Sequence, residues 1–469
     1  MIRFYNTLTH TLQEFEPLKP GHVGLYTCGP TVYSYAHVGN FRTFVWEDLL
    51  RRFLELRGYE VRHVMNITDV DDKIIAATLE RGEGVEQVTA PFTAAFFADL
   101  DRLDIKRAHV YPKATEHVPE MVELIRRLLE NGLAYSRDGS IYYRVTGFAE
   151  YGRLSGKDLK GLEAGASGRV EADEYEGKDD VRDFALWKGQ RPGEPAWEGP
   201  EGPGRPGWHI ECSAMSMKYL GEGFDIHTGG VDNIFPHHEN EIAQSQGATG
   251  VPLARYWLHA AHLIVDGEKM SKSRGNFLTL RSLLEKGYEP RELRYMLLSV
   301  HYRRVLDLTD ESFSGARQNL RRLDDFSVRL DEAEFSRSSA VETAQAVAAA
   351  AQRFHESLDD DLNTSGALGA LFEMVRVANG ALDRGGLGEP EGEVCRGILG
   401  AFQQVFGTSL GGSGDELSAE LADLVSRREQ ARTDRQWAEA DRLRDELQAA
   451  GILVEDTPQG SRWKKISRE

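Results

Sequence analysis

Apolar positions along the chain switch between two periodicities, and the switches divide it. VGLYTC (23–28) is an apolar, β-prone run, FRTFVWEDLLRRFLELRG (41–58) repeats apolar residues at helical spacing and ends on Gly58, and EVRHVMNI (60–67) is again strand-like. Between the first two lies GPTVYSYAHVGN (29–40), a loop punctuated by glycine and proline. The pattern predicts a βαβ unit of the Rossmann type, with a helix N-terminus placed to receive phosphate. From about residue 115 to 205 the rhythm breaks. A helix (EHVPEMVELIRRLLENG) and a hairpin-like SIYYRV lead into charged, glycine-rich sequence, and RPGEPAWEGPEGPGRPG (191–207) reads as a long loop without regular structure. This region is expected to be an insertion.

The sheet is expected to resume with FDIHTGG (224–230) and RYWLHAAHLIVDG (255–267) as strands and a helix over 236–247 between them. Amphipathic stretches at 315–335, 340–356 and 365–383 predict a helix bundle. GTSLGGSGDE (407–416) has the composition of a flexible linker, and ELADLVSRREQARTDRQWAEADRLRDELQAAG predicts one further helix before GSRWKKISRE. The expected fold is α/β: a Rossmann-type parallel sheet split by an insertion, followed by an α-helical bundle and a small C-terminal domain. Expected boundaries are 1–115 and 207–265 for the two Rossmann halves, 116–206 for the insertion, 266–315 for the KMSKS loop and a stem-contact region, 316–406 for the bundle and 407–469 for the linker and last domain. No internal repeat is found.

Composition narrows the class. The chain has 469 residues, 41% hydrophobic and 28% charged. MIRFYNTLTH lacks the apolar stretch of a secretion signal and no 18-residue apolar run exists, so no membrane association is expected. Three cysteines, Cys28, Cys212 and Cys395, are too few for a disulfide framework, which favours a cytoplasmic protein. The formal charge of -19 argues against coating nucleic acid with the whole surface. It leaves room for a local basic track, because screening acts over about 8 Å.

Three groups of residues carry candidate chemistry. His37 falls at the mouth of the first helix, where the dipole favours anions, and Gly39 allows close approach to the backbone. His37 and Asn40 are therefore candidate donors to a nucleotide phosphate, against the plainer reading of a βα turn with a surface histidine. EKMSKSRGN (268–276) places Lys269 and Lys272 in a cationic loop able to close on a polyphosphate, or equally a solvated basic loop. The third group is Cys28 with GWHIECSAMS (207–216) and PHHENEIA (236–243). Pro236 suits a first helical turn, after which His237 and Glu241 share a face while His238 sits above Ile242. Taken singly, each of Cys28 and Cys212 is more often a core residue than a ligand.

Two of these motifs point to one family. PTVYSYAHVGN resembles the "HIGH" signature and KMSKS (269–273) is identical to the second signature of class I aminoacyl-tRNA synthetases. LYTCGPTVY, NITDVDDKII, GWHIECSAM, FDIHTGGVDNIFPHHENEIAQS and ADRLRDEL…GILVEDTPQGSRW make the chain similar to the cysteinyl-tRNA synthetases over essentially its whole length. One departure is Asn40, which stands where the signature ends in histidine; asparagine can still donate a hydrogen bond.

The resemblance implies ATP-dependent activation of L-cysteine to cysteinyl-adenylate and transfer to tRNA(Cys). It implies ATP with Mg2+ as substrate, with His37, Gly39 and Asn40 on the phosphates and Lys269 and Lys272 on the pyrophosphate. It assigns Zn2+, one per chain, to Cys28, Cys212, His237 and Glu241, with His238 and Glu239 beside the site or on the surface. Cysteine and serine differ by one atom, and shape alone separates such pairs poorly, whereas zinc prefers a thiolate. No editing domain is then needed. Gly29, Thr31, Thr68 and Trp208 are expected at the amino acid, with Asp69, Asp71 and Asp72 capping the next helix. His227, Gly229, Gly230 and Asp232 are expected at the adenosine. The bundle would contact the tRNA stem, and Trp437, Trp463, Lys464 and Lys465 would meet the anticodon. A monomer is expected.

Three other readings remain. A related ligase passes activated cysteine to an amino sugar, but should not need the tail GILVEDTPQGSRW. A catalytically silent homologue is disfavoured by the intact KMSKS and ligand set, and a zinc hydrolase by the lack of an H-E-x-x-H helix.

Overall fold

The computed structural model describes residues 1–157, 178–270, 276–410, 419–450, 452–457 and 460–465. The chain forms two compact units, Met1–Leu410 and Gly411–Glu469.

At the centre of the first unit is a four-stranded parallel sheet. Its spatial order is Ala254–Ala260, Phe224–Gly230, His22–Thr27, Glu60–Met65. The strand His22–Thr27 sends its helix, Val38–Leu56, across to Glu60–Met65 on one side, while the second half of the sheet adds on the other. The order therefore reverses between His22–Thr27 and Phe224–Gly230. In open parallel sheets, ligands bind at such a reversal, beyond the carboxyl ends of the strands.

The helix begins at Val38 rather than Phe41 because His37 caps it. His37 Nδ1 accepts from the Asn40 amide at 3.2 Å, and Asn40 Oδ1 accepts from the His37 amide at 3.0 Å. These bonds satisfy amides that a helix N-terminus otherwise leaves open.

The insertion folds as the helix Val118–Glu130 and a five-stranded antiparallel sheet. The glycine-rich run 191–207, expected to lack regular structure, supplies two of its strands, Trp197–Gly199 and Gly202–Pro206. Its glycines have a packing role: a Cβ on Gly199 or Gly204 would lie 2.2 or 2.4 Å from the Trp187 ring. The predicted strand 255–267 divides: Ala254–Ala260 belongs to the parallel sheet, and Leu263–Val265 to a small sheet with Glu268–Lys269 and Leu306–Leu308.

The predicted bundle is present as Asp310–Asp331, Val341–Asp359, Thr364–Leu382 and Glu389–Phe406. Buried arginines fasten the signature helix to the segment 290–301 and, through Phe406, to the end of the bundle. Arg42 donates to the carbonyls of Leu297, Val300 and His301. Arg294 donates to the Phe406 and Leu103 carbonyls and pairs with Asp48, which also holds Arg52 at 2.7 Å. Against the cost of burial, those two guanidiniums hold Asp48 below the usual carboxylate range.

In the second unit the expected single helix is two, Ala419–Thr433 and Trp437–Ala449, parted at Arg435, whose φ of 58° cannot continue a right-handed helix. The hairpin Ile452–Thr457 with Gly460–Lys465 follows, and it places Trp463, Lys464 and Lys465 opposite Val454, Leu453 and Ile452. Most of the expected linker, 411–418, lies outside the described residues.

Candidate active site

Cys28 directly follows the strand His22–Thr27, at the reversal of the sheet. Cys212 lies on the helix Trp208–Leu220, and His237 and Glu241 come from the segment after Phe224–Gly230. That segment is kinked within Ile234–His238, where Phe235 is extended (φ -137°, ψ 131°) and the Phe235–Pro236 peptide is cis, and continues as the α-helix Glu239–Thr249. All four residues are buried, and one potential ligand atom from each lies within 4.8 Å of the others. The Cys28 thiol is pushed up by burial, while a hydrogen bond from it lowers Cys212. One of the two sulfurs is thus already suited to be a thiolate.

The surroundings of these four are richer in histidine than expected. His237 stacks on Trp208 with centroids 4.4 Å apart, and its Nδ1 lies 2.9 Å from His209 Nδ1. His238, expected as a flanking or surface group, is fully buried, with Nε2 3.2 Å from Cys28 Sγ and Nδ1 2.7 Å from His259 Nε2. Burial lowers both rings, His259 to about 3 and His238 well below the usual range, so both are neutral near pH 7. His227, expected at the adenosine, instead stacks on Trp257 and has Nε2 2.8 Å from Glu241 Oε2. Cys28, His227, His238 and Glu241 form a second group with metal-ligand spacing, overlapping the first. Neither His209 nor His259 was expected. His209 falls in GWHIECSAMS, but His259 sits on a strand with no local motif to mark it.

Glu239 is buried rather than exposed, and its carboxylate accepts from the Ser155 amide at 2.8 Å. It fixes the insertion to the ligand-bearing segment.

Among the residues expected at the amino acid, Thr31 pairs through its backbone with Thr68. Thr68 accepts from Asn66 Nδ2 and donates to Glu211 Oε2 at 3.0 Å. Gly29 meets the end of the adjacent strand so closely that a Cβ would lie 1.7 Å from the Asn66 carbonyl oxygen. Asp71 caps the next helix as expected, accepting from Ile74 at 2.7 Å, and Asp72 lies in its first turn, paired with Lys188 and Arg205. Asp69 departs from that role and accepts from Thr115.

Where the resemblance expects the nucleotide, the two signatures touch. The Val38 amide donates to Leu278, the His37 ring meets Phe277 edge-on, and a Cβ on Gly39 would lie 2.9 Å from both the His37 ring and the Met270 methyl. The close approach at Gly39 is thus made by Met270. Lys269 is exposed on the short strand Glu268–Lys269; Lys272 lies outside the described residues. Gly229 and Gly230 end their strand against His238, Asn233 and Asp232, and Asp232 is exposed in the turn that follows.

These features agree with known proteins. Residues 14–318 match the family described as tRNA synthetases class I (C) catalytic domain, 353–411 the DALR domain, and 414–463 the Cysteinyl-tRNA ligase anticodon binding domain. The cysteine--tRNA ligase of Carboxydothermus hydrogenoformans is 46% identical, covering 99% of this chain and 100% of that one. The Solibacter usitatus enzyme of the same name is 47% identical, with 99% of each chain covered. In fold, the chain is similar to Mycobacterium tuberculosis methionyl-tRNA synthetase in complex with methionyl-adenylate, with a TM-score of 0.60 at 19% identity over 82% of this chain and 89% of that one. Identity of this extent over the full length places the chain in the cysteine--tRNA ligase family of class I aminoacyl-tRNA synthetases.

Proposed function

We propose that the protein activates L-cysteine with ATP and transfers it to tRNA(Cys), selecting cysteine at a zinc ion. The observation that carries this reading is the convergence of Cys28, Cys212, His237 and Glu241 at the reversal of a parallel sheet whose first helix is capped by His37. Two thiols, an imidazole and a carboxylate, all buried, form a donor set that suits zinc. When bound there, zinc would supply a Lewis acid with far greater affinity for a thiolate than for an alcohol. Trp208, stacked on His237, would wall the amino-acid pocket, with Gly29, Thr31 and Thr68 beside it.

The rest of the chemistry is positioning and charge stabilisation. Attack of the substrate carboxylate on the α-phosphorus displaces pyrophosphate, and negative charge grows on the phosphoryl oxygens. His37 and Asn40, at the positive end of the Val38–Leu56 helix, would face the phosphates of ATP with Mg2+, and Lys269 and Lys272 the pyrophosphate. Gly229, Gly230 and Asp232 would frame the ribose.

In the second unit Trp437 is 59% exposed, available for an anticodon base to stack on. The match of 414–463 to an anticodon binding domain favours tRNA over an amino sugar as acceptor. Among the described residues no helix is long and apolar enough to cross a membrane. We take the enzyme to be a cytoplasmic monomer, which light scattering of the purified protein tests in part.

The deciding experiment is cysteine-dependent pyrophosphate exchange into ATP, followed by transfer to tRNA or to an amino sugar. Exchange with cysteine and not serine, then tRNA charging, is expected. Absence of exchange with zinc and Mg2+ supplied would sink the proposal, and transfer to the amino sugar alone would reassign the acceptor.

A further inference from the structure

The helix that carries His37 also carries an acid with no part in the chemistry described so far. Glu47 lies on Val38–Leu56 and is fully buried. Its Oε1 accepts from the Thr228 hydroxyl at 2.7 Å, while Oε2 is buried with no hydrogen-bond partner. Burial pushes the carboxyl up to about 8. A half-satisfied acid in an apolar interior is costly, and packing alone does not call for one.

Its partner stands at a junction. Thr228 lies in the central strand Phe224–Gly230, in register with Thr27 on one side and Leu258 on the other. The Thr228 carbonyl accepts from the Cys28 amide at 3.2 Å. The residue before it, His227, reaches Glu241, and the residue after it, Gly229, lies against the His238 ring. One turn earlier on the helix, Thr43 approaches Gly230, where a Cβ would lie 3.7 Å from its hydroxyl oxygen. Thr43 and Glu47 thus form a polar stripe on the helix, aimed at residues 228–230.

We infer that Glu47 is a positioning residue: through Thr228 it sets the Cys28 backbone and the strand end at Gly229 and Gly230 against the helix that carries His37. The inference rests on the ligase reading above. It joins the two half-sites, since the cysteine carboxylate must meet the α-phosphate in line, and misplacement of about 1 Å can cost about a hundredfold in rate. An acid kept only as core filling would be replaceable by leucine without loss in kcat, whatever the stability cost of leaving the Thr228 hydroxyl without its acceptor.

The test uses full-length, zinc-loaded protein and steady-state pyrophosphate exchange for wild type, E47Q, E47L and T228V. Glutamine keeps an oxygen that accepts from Thr228, so E47Q is expected within about threefold of wild type. E47L and T228V are expected to lose at least tenfold in kcat while KM for ATP and metal content stay close to wild type. Folded E47L and T228V with wild-type kcat would overturn the inference, as would an E47Q variant no better than E47L. If E47L does not fold, T228V carries the test, since valine keeps the shape and removes only the hydroxyl. Wild-type exchange is the reference that tests the ligase reading itself, so the two failures are told apart.

Discussion

His237 Nε2 stands 3.0 Å from Glu241 Oε1, one turn further along the same segment, yet that oxygen takes part in no hydrogen bond. Buried polar atoms are seldom left this way unless a third partner completes them. Potential ligand atoms of these two side chains and of the Cys28 and Cys212 thiols all lie within 4.8 Å of one another.

Removing one of those thiols should therefore empty the centre. Cys212→Ser is expected to copurify with well under one metal ion per chain, and to lose about a hundredfold or more in cysteine-dependent exchange. Metal analysis by mass spectrometry checks it; stoichiometric zinc in the variant would rule out Cys212 as a ligand.

Gly29 offers a steric test of the same strand end. With the Asn66 carbonyl 1.7 Å from where a Cβ would sit, Gly29→Ala must displace backbone. Exchange activity is expected to fall at least tenfold, with a lowered melting temperature. Wild-type activity would mean the crossing is looser than this contact requires.

The buried Asp48 pairs with Arg52 on its own helix and with Arg294, which in turn donates to the Phe406 carbonyl at the end of the bundle. Asp48→Asn leaves the guanidiniums without their countercharge, and a loss of about 3–5 kcal/mol is expected. Urea unfolding measures it as a drop in midpoint at unchanged slope. A change below about 1 kcal/mol would show that the surrounding carbonyls suffice for both arginines.

Glu47 should leave a mark on the pH dependence of stability. Its folded carboxyl is raised from 4.5 to about 8, so its contribution is fully present below 4.5 and is lost as pH rises through 8. At about 1.4 kcal/mol per pH unit the loss is on the order of a few kcal/mol. The difference in melting temperature between wild type and E47Q should tilt against wild type across that window. A parallel pair of curves would place the carboxyl in contact with solvent.

Much of the site was legible because its residues sit in short motifs. Helical spacing put His237 and Glu241 on one face, and the loop between strand and helix marked His37. Only the resemblance joined Cys28 and Cys212 to them, since their meeting depends on sheet order, which no local pattern encodes. The same limit explains His227, His238 and His259: each is an ordinary polar letter in a β-prone or helical run, and becomes part of the site only when two strands and a helix close on it. The glycine-rich stretch 191–207 misled for a related reason, because its glycines serve the bulk of Trp187, a residue in a different strand.

The proposed ligand set also has an order in time. Cys28 and Cys212 lie about 180 residues apart in the chain, with the whole insertion between them. At translation speeds of roughly 5–20 residues per second, Cys28 leaves the ribosome on the order of 10–40 s before its partners. Through that interval the nascent chain carries one lone thiol at the end of an unfinished sheet. Capture of the proposed metal would therefore be a late event of synthesis, and a chain stalled within the insertion would hold the helix capped by His37 without the rest of the proposed ligand set.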